Sequence, residues 1–315
     1  MDKKLNPAPG IGRRTTIVTI SERAGVSHST VTRALRGDTR ISEATRTRIV
    51  ALAKDMGYTA NAFARTLSSG KSGLFGLVLG SAENPFYTEL FHEAARQAEL
   101  RGCRLLIIHA GGGPIEEKTA EALLQYQVDG CIISSAVLSS RAAEICATNR
   151  VPLVMVNRVA RSHGCVVTCD NFAGGAEMAE LFLKTGRRRF ALVTTSSSSS
   201  TGVERTEGFR SALANSGAQI IATIDGHSTY QGGFDAGERI ARMQPEDRPD
   251  AVFAVSDIIA TGLLDAFRLH GLAVPRDIAV AGFDDLTIAA RKIYDLTTIQ
   301  QPLALMIERA FDMLQ

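Results

Sequence analysis

The chain has 315 residues, 45% hydrophobic and 22% charged, enough for two or three domains with a large apolar core and too apolar for global disorder. It holds no run of 18 or more uncharged apolar residues to span a bilayer, and its opening, MDKKLNPAPGIGRRTTIVTI, lacks the apolar stretch of a secretory signal, so a cytoplasmic, nucleoid-associated protein with no membrane partner is expected. The formal net charge of +2 hides a split, with 13 Lys and Arg against 5 Asp and Glu in residues 1–72 (net +8) and 22 against 28 in the rest (net −6), the footprint of a basic nucleic-acid-binding module ahead of an acidic one.

Residues 1–15 are rich in Pro, Gly, Lys and Arg without a period and read as a flexible leader. Three short helices fit residues 16–58. Ile17, Ile20 and Ala24 share one face of the first, which Gly25 ends. Ser27 suits the cap of a second helix, about His28 to Leu35, with Val31, Ala34 and Leu35 inward. Ser42 suits the cap of a third, with Ala44, Ile49, Leu52, Ala53 and Met56 inward and Gly57 just past its end. Residues 59–72 form a hinge whose Asn61–Ser68 stretch is too short to stay helical without a partner.

From Gly73 to residue 315 the texture is βα alternation. Strands are expected at 75–80, 103–110, 130–134, 152–157, 164–168, 190–195, 251–256 and 278–283. Helices are expected near 86–101, 116–127, 141–149, 171–185, 203–216, 231–243, 257–270 and 303–313. Apolar strands alternating with helices indicate parallel sheets covered on both faces, and this many units indicates two α/β lobes with a cleft between them. Cys103, Cys131 and Cys146 lie in apolar surroundings and read as reduced core residues. Cys165 and Cys169 have no second pair to complete a zinc site, so no metal or other cofactor is expected.

Residues 16–37, TIVTISERAGVSHSTVTRALRG, have helix-turn-helix geometry, in which the second helix enters the major groove. His28, Ser29, Thr30, Thr32 and Arg33 are its polar residues; Arg33 can reach guanine or phosphate, and Ser27 and Thr30 suit phosphate. The segment resembles the opening of the LacI family of bacterial transcriptional repressors. The likeness continues through RISEATRTRIVALAKDMGY (40–58), ANAFARTLSSGKS (60–72), NPFY (84–87), VDG (128–130), DN (170–171), ERTEGFR (204–210), SD (256–257), AGFDD (281–285) and LTTIQQP (296–302), covering about residues 16–312.

The resemblance implies a three-helix headpiece, a periplasmic-binding-protein-like core of two lobes, and a homodimer reading a pseudo-palindromic operator in double-stranded DNA. It places the hinge in the minor groove, with Asn61 nearby and Leu67 as the wedge. It puts Phe86, Arg158, Asn171, Arg205 and Asp257 in the pocket of a small effector, a sugar or sugar derivative. Asp257 could equally cap the helix it begins, and Asp284 mainly shapes the crossing between lobes. Three departures stand out. Ala60 replaces the family's proline. GHSTYQ (226–231) puts Ser228 or His227 where an aromatic is usual, with Tyr230 as a substitute platform. The sequence stops at FDMLQ where the family normally continues with a further strand, and without a leucine heptad tail a dimer is expected over a tetramer.

An enzyme is not expected. No GxGxxG follows the first α/β strand, and no GxxxxGK[ST] or GxSxG is present. The alternatives are a solute-binding protein of the same two-lobed fold, which would not need residues 16–58, and a corepressor-dependent regulator.

Overall fold

A computed structural model of the chain describes residues 15–58, 71–80, 84–110, 115–134, 139–158, 165–195 and 199–315. The chain divides into two compact units, Met1–Ser72 and Gly73–Gln315. The basic unit contains α1 (Ile17–Ala24), α2 (His28–Leu35) and α3 (Glu43–Asp55). Ile20, Val31, Ala34, Ile49 and Ala53 form its buried core. Ala44, expected inside, is exposed: it lies in the first turn of α3, beside the exposed Ser42 and Glu43, on the side away from Ile49 and Ala53.

The second unit carries two five-stranded parallel sheets. The first is ordered β2-β1-β3-β4-β5, from Arg104–His109, Leu74–Leu79, Gly130–Ser134, Leu153–Val156 and Cys165–Val167. Its helices are α4 (Pro85–Leu100), α5 (Glu117–Gln125) and α6 (Ser140–Thr148). The second is ordered β10-β9-β8-β6-β7, from Thr297–Gln300, Ala279–Asp284, Ala251–Ala254, Arg189–Thr194 and Gln219–Asp225. Its helices are α7 (Asn171–Lys184), α8 (Ser200–Leu213), α9 (Tyr230–Ala241) and α10 (Asp257–Leu269). The last helix, α11 (Leu303–Leu314), returns to the first lobe, where Met306, Ile307, Ala310 and Phe311 pack with Phe75, Ile132 and Val154. Among the described residues no helix is long and apolar enough to cross a membrane.

Eight strands and eight helices fall where the apolar runs put them, within a residue or three. Strands β7 and β10 were not expected. Both lie at a sheet edge, so residues of QIIATID and TTIQ stay partly exposed and neither reads as a continuous apolar run. The second lobe centres on an aromatic stack: Phe209 lies 5.0 Å from Phe253 and 5.5 Å from Phe190, and Phe182 lies 5.8 Å from Phe190. Helices α7 and α8 approach through glycine. A Cβ on Gly175 would strike the backbone of Arg205, and one on Gly208 the backbone of Phe172.

Phe209→Ala is expected to cost about 3–5 kcal/mol, as for a fully buried aromatic. Gly208→Ala is expected to cost about 1–3 kcal/mol by overpacking. Urea midpoints of the second unit at constant m-value check both, and an unchanged midpoint for either contradicts this account of the helix pair.

Candidate functional site

In the basic unit the sequence builds α2 by capping. Thr16 and Thr19 form a reciprocal capping box at α1, and Gly25 ends that helix at φ 66°. The Ser27 hydroxyl accepts from Thr30 N at 3.2 Å and lies 2.8 Å from the Ser29 hydroxyl and 2.9 Å from that of Thr30. Val31 and Ala34 point into the core; His28, Ser29 and Arg33 are exposed, and Thr30 is half-buried. Thr32 returns its hydroxyl to His28 O at 2.9 Å. A short helix held from both ends thus displays a row of polar side chains on its free face. Nearby, the hydrogen bond from Arg40 holds the Asp38 carboxyl down at about 2. Asn61 and Leu67 lie outside the described residues.

The second unit has a narrow cleft between its lobes, with a cavity of about 40 Å³. The first lobe supplies Asn84, Phe86, Tyr87, Asn157 and Arg158. The second supplies Arg205, Asp284 and a set of hydroxyls on Thr195, Ser199, Thr201, Ser228 and Ser256. Phe86, Arg158 and Arg205 are therefore brought together. Arg205 is the fixed point. Its side chain is 5% exposed; Nε donates to Asn171 Oδ1 at 2.9 Å, and Nη1 donates to Val255 O at 2.7 Å and Asp284 Oδ1 at 3.1 Å. Its Cζ lies 3.7 Å from the centroid of Phe283. Its Nη2, with Thr195 Oγ1, Ser256 Oγ and Asn157 Oδ1, is buried with no hydrogen-bond partner among the described residues. Four such atoms lining one cleft are the mark of a site that binds a polar group.

Two expected ligand contacts sit elsewhere. Asn171 does not line the cleft; it lies behind Arg205, and its Nδ2 donates to Thr168, Cys169 O and Glu204. It orients the guanidinium. Asp257 is fully buried and does not line the cleft either. Oδ2 accepts from Leu286 N at 2.8 Å and Oδ1 from the Thr298 hydroxyl at 2.6 Å, so both oxygens are committed to the loop after β9 and to β10. It does not cap α10, whose preceding residue is Ser256. Burial, then the charge of Asp284, pushes its carboxyl up to about 7. Tyr230 is no stacking platform: it lies outside the cleft lining and its hydroxyl donates to Asp265 at 2.9 Å.

Asp284, expected mainly to shape the crossing between lobes, also lines the cleft. It accepts from Arg205 and from Gln301 Nε2 at 2.7 Å, and burial raises its carboxyl above the ordinary value. Asn157, Thr195, Val255 and Asp284 each stand at or just beyond the carboxyl end of a parallel strand, where open α/β sheets bind ligands, so strand-end position was the signal for all of them. Asn157 (φ 58°), Ser228 (φ 56°) and Asp284 (φ 129°) line the cleft from the left-handed region, a strained backbone of the kind that collects at binding sites.

Known proteins carry the same two parts. The model for bacterial regulatory proteins, lacI family, matches residues 16–61, and that for a periplasmic binding protein-like domain matches residues 179–315. The ribose operon repressor of Escherichia coli (strain K12) is 31% identical over 304 residues, 95% of this chain and 92% of that one. The structure of a CelR–cellobiose complex superposes with a TM-score of 0.68 at 28% identity, covering 96% of this chain and 92% of the other. The lac repressor dimer bound to operator and the anti-inducer ONPF superposes at 0.85 over the same shares of each chain; at 24% identity it bears on the fold alone.

The raised carboxyl of Asp257 predicts a pH signature. The folded chain keeps a proton that the unfolded chain releases near pH 4, so this stabilisation is full below about pH 4 and lost as pH rises through about 7. Asp257→Asn, which can serve Leu286 N and Thr298 together, should flatten the fall in urea midpoint between about pH 5 and pH 8. Asp257→Ala, leaving Leu286 N unpaired, should cost about 1–3 kcal/mol at either pH. A fall that persists undiminished in Asp257→Asn assigns the dependence to another group.

Proposed function

The chain belongs to the lacI family of bacterial regulatory proteins, and we propose that it is a repressor that binds a pseudo-palindromic operator as a homodimer and is switched by a small sugar-like metabolite in the interlobe cleft. As a family member it is a ligand-responsive transcriptional regulator, not an enzyme. The observation that carries the finer reading is the set of buried, unpartnered polar atoms on Asn157, Thr195, Arg205 and Ser256 around one cleft, in the same chain as a capped, outward-facing α2. The cellobiose held by the CelR structure and the ribose named for the E. coli relative support a sugar-like effector. A cytoplasmic, nucleoid-associated location accords with binding chromosomal DNA.

On α2, Arg33, His28 and Ser29 read base edges while Ser27 and Thr30 set the register on phosphates. Asn61 and Leu67 extend the contact into the minor groove. In the cleft, Phe86 packs against the apolar face of the ligand, and Arg158 and Arg205 hold its polar groups. Asn171 acts through Arg205, and Asp257 through the crossing loop. The effector acts by binding two lobe arrangements with different affinity, so operator affinity changes by that ratio and no more.

The test is operator selection from random duplexes with the full chain, followed by fluorescence anisotropy with and without a panel of sugars. Arg33→Ala should weaken the selected operator by about 1–3 kcal/mol and random DNA far less. Equal losses on both would make Arg33 a phosphate contact. If no duplex is selected above background, the regulator reading fails.

A further inference from the structure

We propose that Asp38 is a positioning residue for operator recognition: it holds the Arg40 guanidinium just past the end of α2, so that the free edge of that fork takes a backbone phosphate of the operator. This role presupposes that α2 enters the major groove as proposed above, and adds a backbone contact beyond it.

The sequence puts an acid where a DNA-binding unit has little use for one. Residues 1–72 carry 13 Lys and Arg against 5 Asp and Glu, and Asp38 stands two residues past Arg36, the C-cap of α2. A bare carboxylate there would repel phosphate. The turn is nevertheless built around it. Gly37, at φ 73°, lets the chain leave the helix, and Asp38 N donates to Arg33 O at 3.0 Å. Asp38 Oδ1 accepts from Arg40 N at 3.0 Å, and Asp38 O accepts from Ile41 N at 3.1 Å, just before Ser42 caps α3. The backbone thus fixes the carboxylate relative to the last turn of α2, with its side chain 19% exposed.

Arg40 closes on this carboxylate side-on. Nε lies 3.0 Å from Oδ1 and 3.2 Å from Oδ2, and Nη2 donates to Oδ2 at 2.7 Å. That pairing uses Nε and one hydrogen of Nη2. The other Nη2 hydrogen and both on Nη1 form the opposite edge, which no described residue takes and which faces water on a side chain 73% exposed. The hydrogen bonds from Arg40, and after them the charges of Arg40 and Arg33, hold the carboxyl at about 2, so it is ionised at neutral pH and stands near Arg33. An exposed ion pair contributes little to stability. What this one does is remove the rotamer freedom of a long side chain before DNA arrives. A guanidinium can keep one edge on a carboxylate and offer the other to two phosphate oxygens without moving, which an ammonium group cannot. Because the pair is neutral, it adds little to the long-range attraction for any duplex. Its contribution depends on a phosphate lying where the fork points, and a duplex held out of register meets Asp38 without that compensation.

Fluorescence anisotropy on the full chain, with the selected operator and a random duplex over a range of salt, tests this. Arg40→Gln should weaken the operator at least about fivefold and reduce the magnitude of the slope of log affinity on log salt by about 1. Arg40→Lys should keep the slope but recover only part of the affinity. Asp38→Asn, which can still accept from Arg40 N, should weaken the operator while tightening the random duplex, so that the preference for operator falls at least about threefold. An acid with only a structural role in the turn would move both duplexes in the same direction. An unchanged slope in Arg40→Gln, or full operator affinity in Arg40→Lys, would overturn the fork on phosphate. Asp38→Asn shifting both duplexes alike, or neither, would overturn the positioning role. Failure to select any operator would instead strike the regulator reading.

Discussion

A buried guanidinium organises the second unit. Taking a cation out of water costs several kcal/mol unless its hydrogen bonds and a counter-charge replace the lost solvent. For Arg205 the replacements come from distant parts of the chain: Asn171 from the start of α7, Val255 from the end of β8 and Asp284 from the end of β9. Those segments must converge for the group to be tolerated, and the ends of β8 and β9 form part of the cleft wall. The close approach of α7 and α8 serves the same end. Gly175 lets α7 reach the backbone of Arg205 itself, so the residue that orients the guanidinium and the helix that carries it are locked together.

The same demand explains which site residues could be read in the sequence. Phe86, Arg158 and Arg205 line the cleft, each carried by a motif that also fixes a strand end or a helix start. Asp257 and Asn171 were legible as polar residues at helix starts, but sequence cannot say which way such a residue turns. Asn171 turns back to Arg205, and Asp257 turns to an amide and a hydroxyl 29 and 41 residues away. The role of Asp284 was hidden for the same reason: Asp284 and Asp285 stand side by side, and only the backbone, at φ 129° and 58°, sends the first to the cavity. The start of α8 is a further case. Ser199 is the cap of α8 and Ser200 its first residue, so the helix starts three residues before the expected 203 and puts hydroxyls on the cleft wall.

In the basic unit, caps, a left-handed glycine and inward apolar residues at helical spacing carry almost all the structural information, and all are local. Gly25, Ser27 and Ser42 act as the sequence indicates. Local determinants survive reading from sequence alone, whereas the edge strands β7 and β10 and the cleft acids depend on what lies across the fold.

Asp257 and Asp284 divide the work of the crossing between lobes. Leu286, two residues past Asp284, is buried in the first-lobe core with Phe75, Phe86 and Phe311, although β9 belongs to the second. Asp257 holds the amide of that same Leu286. One carboxylate thus ties the loop to the second lobe at its root while the other lines the cleft beside Arg205, so the cleft wall and the seat of Leu286 share one short segment. The tie tolerates a change of charge, because the Thr298 hydroxyl can donate to an ionised Asp257 or accept from a protonated one. Burial, then the charge of Asp284, raises Asp257. The charge of the cleft-lining acid is therefore felt at the structural one, which couples the cleft wall to the loop that seats Leu286.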